Sequence, residues 1–416
     1  MPGDAPEGWK HLRVGEIARV VGGTTPSSNE PGHWDGDIPF VTPTDLTALR
    51  GRYLAKTERC ISERGRLAAG IEVLPPRSVL LATRASIGLA AINEVPLVTN
   101  QGFQNLVPLA WTDPLWLFYA VSAMRAEFER LAAGTTFREL SRRSLQAVKL
   151  LVPPLPEQRA IAAVLDAIDE AIERTQAVIE ATETLRRALL HDLLTRGVPG
   201  WHKEWKHVPG IGTIPACWEV ACLADLVKVN TDGWNPGDTE EILYVDLAAV
   251  SAPGDLAPPR KLPSAEAPSR ARRRVKPGDI LVSTVRPYLR AFARWTGPAL
   301  PNLVASTGFA VLSPNRPEDS AFVFHVIMTD RFLGHLEPRM TGSGYPAVRP
   351  DDVAAFSLGI PGAKERQLIG GLIDVLWDVN QNTKKHVEEL HVVKRAIADA
   401  LLTGRIRIKQ LHEAAK

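Results

Sequence analysis

Arginine, carboxamide and hydroxyl side chains gather in a few turn-rich stretches of this 416-residue chain, and they do so twice. The first set is Thr44, Thr83, Arg84, Asn100, Gln101, Thr135, Thr136 and Arg138; the second is Thr284, Arg286, Tyr288, Arg290, Ser306, Thr307, Ser343, Tyr345 and Arg349. Planar Arg, Asn and Gln groups make paired hydrogen bonds to base edges, while hydroxyls and backbone N–H groups hold phosphates. Any one Thr or Ser among them serves a turn or cap hydrogen bond equally well, and Tyr345, with its counterpart Phe137, also suits a core. Recurrence at equivalent positions of both halves makes them a set, although a shared fold alone would also preserve loop hydroxyls.

Constellations for bond-making chemistry are sparse. No GxxxxGK[ST] phosphate loop occurs, Gly210-Ile211-Gly212 followed by Thr213 fails as a dinucleotide fingerprint, and no Asn-Pro-Pro-Tyr or Asp-Pro-Pro-Tyr motif of amino-methyltransferases is present. His33 with Asp35 and Asp37 sits in a turn-rich loop without metal-ligand spacing, so no metal site is expected. Glu204-Trp205-Lys206 imitates a nuclease fragment but has no Pro-Asp partner on a strand, and reads as a linker anchor. The three cysteines, Cys60, Cys217 and Cys222, form neither a metal spacing nor a disulfide framework. No catalytic residue is assigned.

The elements that must position these side chains are announced by one stretch, Pro156 to Thr195, whose apolar residues Ile161, Leu165, Ile168, Ile172, Ile179, Leu189 and Leu193 fall on the alternating four-and-three grid of a coiled-coil seam. Adding 208 to each number gives Ile369, Ile373, Leu376, Asn380, Val387, Ile397 and Leu401 in a second copy, Lys364 to Thr403. Upstream of each rod the same plan repeats. Ser78–Thr83 is answered by Asp279–Thr284, Gln101-Gly102-Phe103 by Thr307-Gly308-Phe309, Gly134–Phe137 by Gly342–Tyr345, and a helix over 113–131 by one over 318–336. The fold class is therefore mixed α/β (α+β): two pseudo-symmetric domains separated by two long helices that form an antiparallel coiled coil. The boundaries are 1–152 for the first domain, 153–196 for its helix, 197–216 for a Gly- and Pro-rich linker, 217–360 for the second domain, 361–404 for the second helix and 405–416 for a tail. Polar residues on the seam, Thr175, Thr182, Arg186, Asn380, Thr383 and Lys394, either fix its register or face water where the coil splays. Each rod is about 60 Å long at ~1.5 Å per residue, which makes the pair a ruler with a reading head at each end.

Composition adds bounds. With 45% hydrophobic and 23% charged residues the chain can bury two ordinary cores, and a net charge of +2 makes any basic surface local, as at Arg270–Lys276. No apolar run reaches the roughly 20 residues of a membrane span and no signal peptide is visible, so a cytoplasmic protein is expected.

Several phrases carry a family resemblance. GGTTPSSNEPGHWDGDIPFVTPTDL (Gly22–Leu46), TRASIG (Thr83–Gly88), TNQGFQNL (Thr99–Leu106), and PLPEQ followed by LLTRG at the far end of the rod resemble the DNA-specificity (S) subunit of type I restriction-modification systems; VRPYL, STGFAVL, GSGYPAV and LLTGRI repeat the pattern over nearly the whole chain. The second copy departs where Gly362-Ala363-Lys364-Glu365-Arg366 replaces Pro154-Leu155-Pro156-Glu157-Gln158. The resemblance implies two target-recognition domains that each read one half-site of an asymmetric bipartite sequence in double-stranded DNA. It also implies docking of two methyltransferase subunits and of restriction subunits, with Glu157, Gln158 and Arg159 as a docking point. No cofactor belongs to the chain itself; S-adenosylmethionine, ATP and magnesium are expected on the partners. The competing readings are a stand-alone nuclease or modification enzyme with an unrecognised site, and a coiled-coil assembly protein.

Overall fold

The computed structural model describes residues 5–134 and 138–408. They divide into two compact units, one of Met1–Ala177 with Lys384–Lys416 and one of Val178–Thr383, so each unit takes one α/β domain together with half of each long helix.

The long helices run Leu155–Arg196 and Ala363–Leu402. Pro153, Pro154 and Pro156 favour the first start because a proline there forfeits no intrahelical bond, and Glu157 and Glu365 place a carboxylate in each first turn, where the helix dipole favours it. Both helices stop before a glycine in the left-handed region, Gly197 at φ 73° and Gly404 at φ 70°. Within the first unit the early turns of the first helix, including buried Ile161 and Leu165, share a core with Leu401 and Ile397 of the second. Within the second unit Leu190 and Leu193 of the first helix share a core with Ile369 and Ile373 of the other. In both units the pairing is therefore antiparallel. The polar seam residues divide: Asn380 is buried and donates to the carbonyl of Ile179 at 3.0 Å, Lys394 pairs with Asp169, and Arg186 is buried against Glu183. Thr175 and Thr383 turn their hydroxyls back onto Ala171 and Val379 of their own helices.

The first α/β domain is built on a five-stranded sheet in the order Ala18–Gly22, Gln104–Pro108, Val79–Leu81, Ala90–Asn93 and Tyr53–Leu54, beside a three-stranded sheet of Arg59–Ile61, Trp34–Val41 and Val98–Thr99. The second repeats its heart: Val227–Val229, Phe309–Pro314, Ile280–Ser283 and Phe292–Arg294 form the matching sheet, and Glu241–Val245 lies parallel to Leu303–Ser306 as Trp34–Val41 lies parallel to Val98–Thr99. An antiparallel pair closes each domain where the chain enters and leaves it, Lys10–Arg13 with Lys149–Val152 and Glu219–Cys222 with Ser357–Ile360.

Two expectations needed revision. The helices over 113–131 and 318–336 are each broken in two, Pro114–Ala123 then Arg125–Leu131, and Ser320–Ile327 then Asp330–Leu336, the last capped by the Thr329 hydroxyl. The stretch read as a plain linker contains an antiparallel hairpin, Trp205–Val208 with Gly212–Pro215.

Ion pairs and hydrogen bonds that include buried Arg52 in one unit and buried His325 in the other fasten each domain to its helices at equivalent aspartates. In the first unit Arg52 reaches Asp166 and, at 2.7 Å, Glu173; burial opposes the charge of Arg52, but the hydrogen bond to Asp166 and the surrounding carboxylates outweigh it and hold its pKa above the ordinary value. In the second, Asp374, at the position of Asp166, accepts from Arg294 at 2.8 Å and from His325 at 2.7 Å. Burial pushes His325 down, against the pull of Asp374. Burial also works to raise Asp374, but the His325 hydrogen bond and the charge of Arg294 bring it below the usual carboxylate value.

Candidate nucleic-acid interface

Three loops meet at one end of each α/β domain, and the same backbone hydrogen bonds tie them in both. Thr83 N–H donates to Gly102 at 2.7 Å and Thr284 N–H to Gly308 at 2.9 Å; Leu140 N–H returns to Thr83 at 3.0 Å and Val348 N–H to Thr284 at 2.9 Å. Side chains repeat the pattern. The hydroxyls of Thr83 and Thr284 donate to the carbonyls of Gly102 and Gly308, while Asn100 and Ser306 accept from the N–H groups of the same two glycines. Thr83, Thr284 and Ser306 are buried by this work. That corrects the expectation that their hydroxyls face a ligand: they are internal ties, and Asn100 has committed its carbonyl oxygen likewise.

On this frame the first unit presents Arg84, Gln101, Arg138 and Thr44, all exposed. Arg84 forms an ion pair with Glu139 at 2.8 Å, Gln101 is bound by the Thr25 hydroxyl, and Arg138 donates to the carbonyl of Glu129. Arg84, Arg125 and Arg138, against Glu129 and Glu139, line a cleft of about 660 Å³ with a surplus of positive charge. Arg125 was not foreseen, since nothing in the sequence brings a residue of the second short helix to the first loop. Thr135 and Thr136 lie outside the described residues.

The second unit presents a different surface on the same frame. The Arg286 guanidinium lies 4.4 Å from the ring centre of Tyr345, which is 72% exposed, and donates to the Gly344 carbonyl at 3.1 Å. Its Nε is buried without a partner. Arg286 and Arg290 hold φ of 48° and 52°, a region that costs a non-glycine residue of order 1 kcal/mol and clusters at functional loops. Tyr288 and Leu289 stand exposed between them, with Thr307, Ser343 and Arg349 also at the surface. Arg290 is already engaged, by the Met328 carbonyl at 3.0 Å and by exposed Asp330. Two of the five cations in the basic run are paired, Arg274 with Asp238 and Lys276 with Asp232, and the backbone carbonyl of Arg270 accepts the Thr307 N–H at 2.8 Å.

Residues 6–183 match the family model described as the type I restriction modification DNA specificity domain. The chain is 33% identical over 251 residues to the type I restriction enzyme MjaIX specificity subunit of Methanocaldococcus jannaschii, a match spanning 60% of this chain and 57% of that protein. It is 22% identical over 427 residues to the MjaVIII specificity subunit of the same organism, spanning 98% and 95%. A crystal structure of the S subunit of the M. genitalium type I system superposes with a TM-score of 0.62 over 97% of this chain and 98% of that one, at 14% identity. Residues 6–183 thus match the type I DNA specificity domain, and nearly the whole chain is similar to type I specificity subunits.

In this chain the expected docking residues at the start of the first helix do not form one outward surface. Gln158 is fully buried and spends its amide on Asp113 N–H, Trp111 and Pro153, which corrects its assignment to a partner. Glu157 accepts from Trp9 Nε1 and Arg407, leaving Arg159 as the exposed member of the three. A second surface was missed. Leu368, Leu372, Val375 and Val379 of the second helix are exposed at spacings of four, three and four, an apolar track open to solvent. Its signal lay in the sequence as a second heptad track beside the one that was read. Among the described residues no group of three or more His, Cys, Asp or Glu side chains gathers as a metal site requires, and no helix is long and apolar enough to cross a membrane.

Proposed function

We propose that this chain, as a specificity subunit, reads an asymmetric bipartite sequence in double-stranded DNA, one half-site per α/β domain, and delivers that choice to catalytic partners without catalysing a reaction itself. The observation that carries this reading is one loop frame repeated with unlike side chains on it: Arg84 and Arg138 in a charged cleft on one copy, Arg286 stacked on Tyr345 on the other. Identical ties with different readers give two half-sites that differ. Bidentate arginines suit base edges, the stacked Arg–Tyr pair suits a groove wall, and surface hydroxyls such as Thr307 and Ser343 suit phosphates.

Two methyltransferase subunits and the restriction subunits complete the working complex, and S-adenosylmethionine, ATP and magnesium belong to them. The exposed track Leu368–Leu372–Val375–Val379 supports docking of a methyltransferase helix, since a heptad seam is the surface that a further helix covers. The complex works in the cytoplasm, where its DNA is.

The test is a map of methylated adenines in cells that express the methyltransferase subunit with and without this chain. A split, asymmetric motif that appears only with the chain supports the reading; identical maps from an assembled complex overturn it. Leu372→Asp with Val375→Asp should abolish co-purification of the methyltransferase subunit while leaving the thermal midpoint of the chain in place. Turnover of DNA by the purified chain with magnesium alone would instead favour a stand-alone nuclease.

A further inference from the structure

In the second unit a cysteine, a histidine and a glutamate stand in series where the segment after the first long helix meets the start of the second. Cys217 is exposed, and its Sγ lies 3.5 Å from Nδ1 of His202. His202 Nε2 lies 2.6 Å from Oε1 of Glu365, and both side chains are less than one-tenth exposed, at 8% and 6%. Glu365 also accepts the Val198 N–H at 3.0 Å and Trp218 Nε1–H at 3.0 Å. A carboxylate receiving three donors can only accept from the imidazole, so Nε2 carries the ring proton and Nδ1 is left as the acceptor for the thiol S–H. The ring is held edge-on to Trp218 and Trp205, with centroids 6.0 and 6.3 Å away. The charged groups around it are Glu365 itself, Lys206, which donates to the Trp218 carbonyl, and Glu204, whose backbone carbonyl takes the Ala216 N–H.

The other copy of the repeat shows what the joint requires as structure. There Glu157 accepts from Trp9 Nε1 at 2.9 Å as Glu365 accepts from Trp218, but its second partner is the Arg407 guanidinium, at 2.7 and 2.8 Å, and Gly8 stands where Cys217 does. A helix start tied by tryptophan and a cation thus holds without thiol or imidazole. The second copy supplies both, in hydrogen-bond order and with the sulfur open to solvent. Nucleophile, base and orienting carboxylate in that sequence activate a cysteine. Cys222, by contrast, lies 3.8 Å from the Ser357 hydroxyl, which is no base.

We propose that Cys217 is a nucleophilic thiol, activated by His202 and oriented by Glu365, at which hydroperoxides oxidise this chain to a sulfenic acid. A small diffusible electrophile needs no binding pocket, which suits a sulfur at the surface. His202 Nδ1 takes the thiol proton, and the sulfur attacks the terminal peroxide oxygen. An S–O bond forms as the O–O bond breaks, and the departing hydroxide or alkoxide recovers the proton from His202 as water or alcohol. Sulfur loses two electrons and the peroxide gains them. The product no longer offers His202 an S–H, so oxidation is registered at the joint that fastens the second helix.

The test uses the purified full chain and peptide mapping by mass spectrometry. At pH 7 an unassisted thiol is only a few per cent thiolate, so Cys217 should react with iodoacetamide about tenfold or more faster than N-acetylcysteine, a comparison that exposure cannot explain. After one equivalent of hydrogen peroxide, dimedone should label Cys217 ahead of Cys60 and Cys222. His202→Gln keeps an amide donor for Glu365 but removes the base, and should return the iodoacetamide rate to that of N-acetylcysteine. An ordinary rate for wild-type Cys217, no dimedone adduct there, or an unchanged rate in a folded His202→Gln chain each overturns the proposal; the first two need no variant.

Discussion

Arg286 is strained, half-buried and stacked at once. Its backbone sits at φ 48°, its Nε is buried unpaired, and its guanidinium covers an exposed tyrosine. Strain of this kind clusters at functional loops, so a long cation held there suits contact better than folding. Arg286→Gly should therefore raise the thermal midpoint, by relieving about 1 kcal/mol of backbone strain, while weakening binding to the cognate duplex by about 1–3 kcal/mol. Calorimetry on the free chain and titration with duplexes altered in one half-site measure the two effects separately; a loss at both half-sites would refute independent readers. Gly23 makes the complementary case in the first unit. A Cβ there would overlap the Asn100 carbonyl, a backbone atom that cannot rotate away, so Gly23→Ala should displace the Asn100–Gly102 turn and abolish recognition of one half-site in the methylation map. Residue types were legible in the sequence, but directions were not. Thr83, Thr284 and Ser306 have the chemistry of phosphate ligands, and the tertiary fold turns each of them inward onto a glycine.

Among the elements, the starts of the long helices show how one joint is kept with unlike residues. Gln158 and Arg366 occupy equivalent positions, and both are buried, yet the glutamine serves backbone groups while the arginine grips Asp319 through two bonds of 3.0 and 2.8 Å and the Pro361 carbonyl at 2.8 Å. Arg366→Met would strand Asp319, which is 2% exposed, and should cost about 3–5 kcal/mol, read as a fall in the urea midpoint. The departure of the second copy from the PLPEQ phrase was visible in the sequence; its compensating aspartate, 47 positions upstream, was not. Burial of His325 supplies a pH dependence. Its folded pKa is lowered, so the unfolded chain takes up a proton near pH 6.5 before the folded chain does, and this contribution is complete above that value and is lost as pH falls below it. Asp374, with its folded pKa depressed, contributes above the ordinary carboxylate range and fails only below about pH 4. The melting temperature should accordingly decline between pH 7 and pH 5, and His325→Gln should flatten that decline; a flat wild-type profile would refute the buried neutral imidazole.

For the molecule as a whole, the repeat was the most legible feature, because a constant offset of 208 survives any divergence that keeps the seam in register. The hairpin at Trp205–Pro215 escaped because its strands are short and bounded by the Gly and Pro that also mark linkers. If the paired helices set the number of unread base pairs, inserting one heptad into both should change the spacer of the methylated motif and leave its half-sites unaltered. An unchanged spacer would exclude that role. One small contact carries a wider meaning. Trp9 and Glu157 are 148 positions apart and Trp218 and Glu365 are 147 apart, yet each pair is joined by a single indole hydrogen bond beside a short two-stranded clasp. Seen from the helix pair, everything between is a loop closed at its base by that contact and held again at Asp166 or Asp374. The entropy of closing a loop grows only with the logarithm of its length, about 0.6 kcal/mol for each doubling. The loops of either domain are thus free to lengthen or shrink with almost no thermodynamic effect on the helices, provided the tryptophan still meets the glutamate and the ion pair at Asp166 or Asp374 still forms.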